Sequence, residues 1–434
     1  MRLIRYPTRD ILKKQIRPSL FLSMALVIGL MFDCTAAMKP KNPPIDTLDL
    51  LGNEDYPAIC YSGHRGVIRS IEQTPSLEQT KSDLRILSAM GIKWIRTYNT
   101  TLFPHTKRII EAIDELKRES SFEMYVMVGA WISCKDAFSE SVNHTLEDQI
   151  YNKKEIEAAI NLAAEYPDIV KIIAVGNEAM VTWQAHYVSS EIILKWVDVL
   201  LQARDADRFS DQTLITCSDN WAALGGEEFY HSAPLEELLS KLDFISVHTY
   251  AFHDTYYNPA LKWAPLSGEQ NLDVEIKIKR GVERAVRTQM FQFNEVKKYI
   301  TSLGLDKPLH IGETGWATLD NSFYGKSGTR AANEYTAKIF YDEIQKWMNE
   351  ASITCFYFEA FDEPWKSNGT DGSEGHFGLF TVDGKAKYPI WDVVDTGVFK
   401  GLHRDGHEIR KTHEGQLLQI TSELLPPQHV KFLP

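Results

Sequence analysis

The stretch KIIAVGNEAM, Lys171–Met180, decides how the rest of the chain is read. It begins as a β-branched apolar run, Ile172, Ile173 and Val175, of the kind that fills a parallel strand buried on both faces. It then breaks, without a turn signal, into Gly176-Asn177-Glu178. Burying an unpaired charge is costly, so a carboxylate that ends a buried strand implies something there that uses it. LHIGETGW, Leu309–Trp316, repeats the anomaly, with Glu313 directly after Ile311-Gly312.

Working outward from these two stretches, apolar runs predict strands at 58–62, 93–98, 123–131, 170–176, 213–218, 243–250, 308–313 and 353–361. Amphipathic patterns predict helices at 107–118, 153–165, 190–207, 234–241, 274–303 and 330–350. Another helix opens on Thr74-Pro75 as N-cap and first helical residue, buries Leu77, Leu84 and Leu87, and stops at Gly91. Eight strands with a helical crossover after each predict an α/β fold, a single-domain (β/α)8 TIM barrel over residues 57–400. The chain holds no GxGxxG, GxxxxGK[ST] or GxSxG motif, which argues against a doubly wound nucleotide-binding sheet or a serine hydrolase.

Residues 38–56 read as a linker and residues 401–434 as a polar, turn-rich tail on the surface. Residues 1–37 read as a signal peptide: six Lys or Arg precede the apolar run Leu20–Phe32, and Thr35-Ala36-Ala37 offers small residues for cleavage. The alternative is an uncleaved N-terminal membrane anchor, although the apolar run is short of the roughly 20 residues a bilayer span needs. Either reading predicts an exported protein. Of the 434 residues 44% are hydrophobic, enough for a large core, and the formal charge is −12. Without residues 1–37, 41 basic side chains face 57 acidic ones. So acidic a surface is repelled by phosphate backbones and anionic lipids, which excludes nucleic acid as a partner but admits a neutral glycan. Cys60, Cys134, Cys217 and Cys355 lack the spacing of a zinc site or disulfide framework and read as buried thiols. No histidine spacing suggests a catalytic metal, and no cofactor is expected.

Function in such a barrel collects at the carboxyl ends of the strands. Those ends carry Arg96 and Tyr98, Trp131, Asn177 and Glu178, His248 and Tyr250, Glu313 and Trp316, then Glu363, Trp365 and Lys366. Aromatic faces beside hydroxyl-binding groups suit sugars. Glutamates on strands four and seven, facing each other across the mouth, suit glycoside cleavage in which one protonates the leaving oxygen and the other attacks the anomeric carbon. A cation such as Arg96 or Lys366 would keep the nucleophile ionised.

VGNEAM, HIGETGWAT and YFEAFDEPWK together resemble glycoside hydrolase family 17, the β-1,3-glucanases and glucanosyltransferases of the clan with glutamates on strands four and seven. The resemblance runs from about Ala58 to Asp395 and is stronger to the bacterial branch than to the plant enzymes. It implies Glu178 as acid/base, Glu313 as nucleophile, and Glu363 and Lys366 as assistants on the reducing side of the cleaved bond. Arg96 and Tyr98 match the family's Arg-x-Tyr on strand two. Ala317 stands where plant members have Pro, and Ser246–Tyr250 replaces their Asn-x-Tyr-Pro-Tyr, departures that touch cleft length and endo or exo action.

The remaining site residues are expected to contact substrate: Asn177 at the sugar 2-hydroxyl, Trp316 and Trp365 as the preferred stacking platforms, and His248 as either a sugar ligand or a rim histidine. The expected activity is a retaining hydrolase of laminarin-like β-1,3-glucan, acting as a monomer and touching a membrane only through an N-terminal anchor. Alternatives are a β-1,3-glucanosyltransferase and a non-catalytic glycan-binding barrel. A lyase would need a Schiff-base lysine, for which Lys366 is the nearest candidate.

Overall fold

In the computed structural model, which describes residues 46–367 and 372–430, eight parallel strands close into a barrel. They are β1 (Ala58–Cys60), β2 (Trp94–Arg96), β3 (Tyr125–Ala130), β4 (Val170–Asn177), β5 (Leu214–Asn220), β6 (Ile245–His248), β7 (Leu309–Thr314) and β8 (Cys355–Tyr357). Each strand pairs with its chain neighbours, and β1 closes on β8 with Ala58 opposite Phe356. Strand positions agree with the eight apolar runs, because a strand covered on both faces has no polar positions to blur its signal. In β4, Ile172, Ile173 and Val175 are buried as the pattern requires. The signal-peptide segment and residues 38–45 of the linker lie outside the described residues, within which no helix is long and apolar enough to cross a membrane.

The outer layer is built by α1 (Leu77–Ala89), α2 (His105–Glu119), α3 (Gln149–Glu165), α4 (Ser190–Asp205), α5 (Ala233–Lys241), α6 (Val274–Ser302), α7 (Glu334–Ala351) and the short α8 (Trp391–Asp395). The start of α1 corrects the expectation of a Thr74-Pro75 cap. Ser76 is the N-cap: its hydroxyl accepts from the Gln79 amide while the Gln79 side chain accepts from the Ser76 amide. This reciprocal box satisfies two donors at once, which a threonine before proline does not. The four described cysteines are buried and unpaired, Cys134 at the start of a small hairpin (Cys134–Lys135 with Asn143–Glu147) that the sequence did not announce.

Residues beyond 400 are no loose appendage. Arg404 is fully buried, ion-paired to Asp83 of α1 at 3.1 Å and stacked 3.9 Å over Phe361. Farther on, Thr412 donates to Glu334 at the start of α7, and Lys326 pairs with Glu423. A segment rich in polar residues and turns is thus held by buried charge together with scattered apolar side chains such as Ile409 and Ile420, a pattern that hydrophobic periodicity does not register.

Candidate active site

The backbone of β4 ends in two departures from strand geometry. Gly176 has φ of +78°, and Glu178 follows at +44°, a left-handed conformation that costs a residue with a Cβ about 1–3 kcal/mol. The turn is held where the Glu178 amide donates to the Ser218 carbonyl at 3.0 Å and the Met180 amide donates to Asp219 Oδ2 at 2.8 Å. Burial pushes the Asp219 carboxyl up to about 8, with Glu178's charge adding to the rise against the backbone donors. The Glu178 side chain is partly open to the cleft, and its Oε2 accepts from Gln184 Nε2 at 3.1 Å.

Glu313, on β7, is almost fully buried. Arg96 of β2 pairs with its Oε1, and the Tyr250 hydroxyl donates to its Oε2 at 2.7 Å. Burial alone would raise this carboxyl; His248, Arg96 and Tyr250 outweigh it and lower the group to about 2. Glu313 is therefore an anion across the neutral range. The same Arg96 donates through Nη2 to Asn177 Oδ1 at 2.7 Å, tying the ends of β2, β4 and β7 together.

His248 stands between the two acids. Its Nδ1 lies 3.2 Å from Glu178 Oε1 and 3.8 Å from Glu313 Oε2, and its Nε2 is 2.7 Å from Ser218 Oγ. Oxygens of Glu178 and Glu313 and a nitrogen of His248 all fall within 4.8 Å of one another. Three ligand atoms so placed could hold a metal, but Arg96 and Tyr250 already occupy the Glu313 oxygens, and the guanidinium opposes a second cation there. Gly312 makes this assembly possible: a Cβ there would stand 2.2 Å from Ser246 Oγ and 2.6 Å from Ser218 Oγ, displacing the hydroxyl that holds His248.

These groups open on a cleft of about 1430 Å³. Tyr98, Trp131, Asn177, Glu178, Tyr250, Glu313, Glu363, Trp365 and Lys366 line it, together with Trp183 and Trp221. Three expectations need correction. Trp316 is 1% exposed, packed against Phe252, Trp263 and Phe340, with Nε1 donating to the Ala331 carbonyl. It lies past the end of β7, where the chain turns toward the helix layer, so it is core and not a sugar platform. His248 takes the rim-histidine reading and Arg96 is the expected cation beside the nucleophile; both are fully buried behind the glutamates, so it is the expectation of a sugar contact at either that falls. Lys366 serves other acids than the nucleophile: its Nζ lies 2.8 Å from Glu359 and 2.7 Å from Glu363. Burial and the charge of Glu363 raise the Glu359 carboxyl well above its usual range. Lys366 is raised too, its two acids overcoming burial, which makes it a poor Schiff-base amine.

Sequence reading missed Gln184, Arg69, His105 and Phe138, all of which line the cleft. Arg69, Phe138 and Gln184 lie on connections after strands and His105 opens α2, outside the helix period read from the sequence, and nothing in the local sequence marks them.

The sequence and the fold have counterparts among known proteins. The profile of the BtgE/BtgC glycoside hydrolase domain matches residues 58–378. An endo-laminarinase from Formosa Hel1_33_131 is 48% identical, with a TM-score of 0.86 over 90% of this chain and 99% of its own. A glucan 1,3-beta-glucosidase of Arthroderma benhamiae is 24% identical over 331 residues, 74% of this chain and 87% of its own. A glycoside hydrolase family 17 beta-1,3-glucanosyltransferase from Rhizomucor miehei, 18% identical with a TM-score of 0.53, shares the fold.

Proposed function

The chain belongs to the BtgE/BtgC glycoside hydrolase domain family, and we propose that it is a retaining β-1,3-glucan hydrolase of the laminarinase type within glycoside hydrolase family 17. The observation that carries the reading is the approach of Glu178 and Glu313 to within 4.8 Å in one cleft, with only Glu313 held by a guanidinium. Carboxyl groups about 5–5.5 Å apart suit a double displacement, whereas inversion needs room for a water at roughly 6.5–9.5 Å.

In the first step an ionised Glu313 oxygen attacks the anomeric carbon while Glu178 gives its proton to the departing glycosidic oxygen. A covalent glycosyl-enzyme results. In the second step Glu178, now a carboxylate, takes a proton from water, whose oxygen displaces Glu313 and restores the β configuration. Gln184 and His248 orient Glu178 through both steps, and Asn177, fixed by Arg96, presents its amide group to the sugar 2-hydroxyl. Were a glucan hydroxyl to replace water in the second step, the product would be a longer chain, which is the glucanosyltransferase outcome. Export, read from residues 1–37, belongs to the same proposal and is tested by cell fractionation.

Incubation with laminarin, mixed-linkage β-glucan and cellulose, with products read by size and anomer, tests the reading. Early release of β-anomeric oligosaccharides from laminarin is expected. Initial α-anomers would overturn retention, products longer than the substrate would indicate transfer, and inert laminarin would leave only a glycan-binding barrel.

A further inference from the structure

The loop between β1 and α1 carries Arg69 into the cleft. Among the described residues Arg69 makes no ion pair or side-chain hydrogen bond; its guanidinium lies 3.9 Å over Trp365 and 4.9 Å over Phe103. The other strongly basic side chain lining the cleft, Lys366, is closed off by Glu359 and Glu363. A flat cation resting on an indole keeps its edge donors free for oxygen atoms. It also covers one face of Trp365, so the platform expected there is a backing for Arg69 instead.

The same corner is short of partners in other ways. Asn99 and His105 line the cleft and are 3% and 1% exposed. Among the described residues Asn99 Oδ1, His105 Nδ1 and Trp365 Nε1 find no hydrogen-bond partner, nor does either nitrogen of the adjoining His64. Leaving one such group unpaired is unfavourable, and native structures rarely collect several in one place without a use for them. Burial holds His105 down to about 3 and His64 to about 4, so both are neutral imidazoles with one donor and one acceptor each.

That mixture selects the ligand. A sulfate, phosphate or carboxylate only accepts, would leave Asn99 Oδ1 unserved, and would meet the anionic Glu363 close by. A sugar hydroxyl both donates and accepts. Glu363, and not Glu178 or Glu313, is the acid whose charge acts most strongly on His64 and Arg69, so the corner lies on the Glu363 side of the cleft.

We propose that Arg69, Asn99 and His105 form a subsite for a neutral glucose unit of the β-1,3-glucan chain, beyond the two units that flank the cleaved bond. Seating that unit draws the guanidinium from the rings onto hydroxyl oxygens and brings Asn99 and His105 into contact with them. The inference rests on the hydrolase reading above and adds chain-length preference to it.

The test compares laminarihexaose with laminaritriose by calorimetry on the full chain carrying Glu313→Ala, which cannot turn substrate over, with and without Arg69→Met. Methionine keeps an apolar stem over Trp365, and a matched thermal midpoint certifies the fold; Arg69→Lys serves as a second variant, keeping the charge but not the fork. The ratio of hexaose to triose affinity is expected to fall about tenfold, the scale of one lost charge-assisted hydrogen bond. A ratio equal to that of the parent in both variants overturns the subsite. Wild-type protein that leaves laminarin intact would instead overturn the hydrolase reading, so the two failures are told apart by the parent's own activity.

Discussion

Arg96 gives the site its asymmetry. It lies beside Glu313 and makes no ion pair with Glu178, so one carboxylate is fixed as an anion while the other keeps neutral or imidazole neighbours. With Glu313 lowered to about 2, its titration does not set the acid limb of the pH–activity profile. Arg96→Met removes a major opponent of burial, the carboxyl rises, and the acid limb of kcat/KM should move to higher pH by a unit or more. At neutral pH the loss should be about 10²-fold or greater, as for other charge-positioning groups in closed sites. A profile reduced in height but unmoved along the pH axis would mean that Arg96 does not hold the nucleophile ionised. Both glutamates were legible in the sequence because a charge closing a β-branched run is chemically conspicuous. Trp316 was misread for the opposite reason: a tryptophan just past a strand satisfies either the cleft or the helix layer, and distant Phe252, Trp263 and Phe340 decide between them. Trp316→Ala should therefore act on stability, costing about 3–5 kcal/mol in denaturant titrations. A large rise in KM with stability unchanged would restore it as a sugar contact.

At the scale of elements, strands were found where β-branched runs are covered on both faces, and helix ends were off by the few residues that capping decides. The hairpin of Cys134–Lys135 and Asn143–Glu147 was invisible because its sequence lacks alternation; outside groups shape it. Asn152 of α3 donates to the Ser133 carbonyl and accepts from its amide, both at 3.0 Å, while Glu147 accepts from Trp196 Nε1 at 2.7 Å. The hairpin in turn brings Asp136 and Phe138 to the cleft wall. Asn152→Ala leaves the buried Ser133 amide unpaired, while its carbonyl keeps the Asp148 amide, a local cost of about 1–3 kcal/mol. Amides of residues 134–147 should then exchange roughly 10-fold or more faster, while those of β4 keep their protection. Uniform acceleration across the barrel would show that the hairpin is not an independently held wall.

For the molecule as a whole, the closure of β1 on β8 is a short seam: both strands are three residues long, and Ala58 pairs with Phe356 and Ile59 with Tyr357. Asp83 clasps this seam from outside. It accepts from Tyr61 just past β1 at 2.8 Å, from Arg65 at 2.9 Å, and from Arg404, 321 positions away, at 3.1 Å. Arg404 rests on Phe361 past β8, and its neighbour Asp405 pairs with Arg65 at 2.6 Å, so the final segment straps the first strand to the last. No local pattern could have shown this: Arg404 sits among turn residues that look solvated, and the partner that buries it is met only after the barrel has closed. Breaking a buried pair on one side leaves a charge without compensation, so Asp83→Asn should destabilise the fold by about 3–5 kcal/mol. Arg404→Met alone should cost less, because Asp83 keeps Arg65 and Tyr61. The double variant should fall short of the sum of the singles by about 1 kcal/mol or more, since once the arginine is gone the lost carboxylate leaves less unpaired. Urea midpoints at constant slope measure all three. Additivity within about 0.5 kcal/mol would mean that the two residues do not act as one clasp and that the barrel closes without its tail.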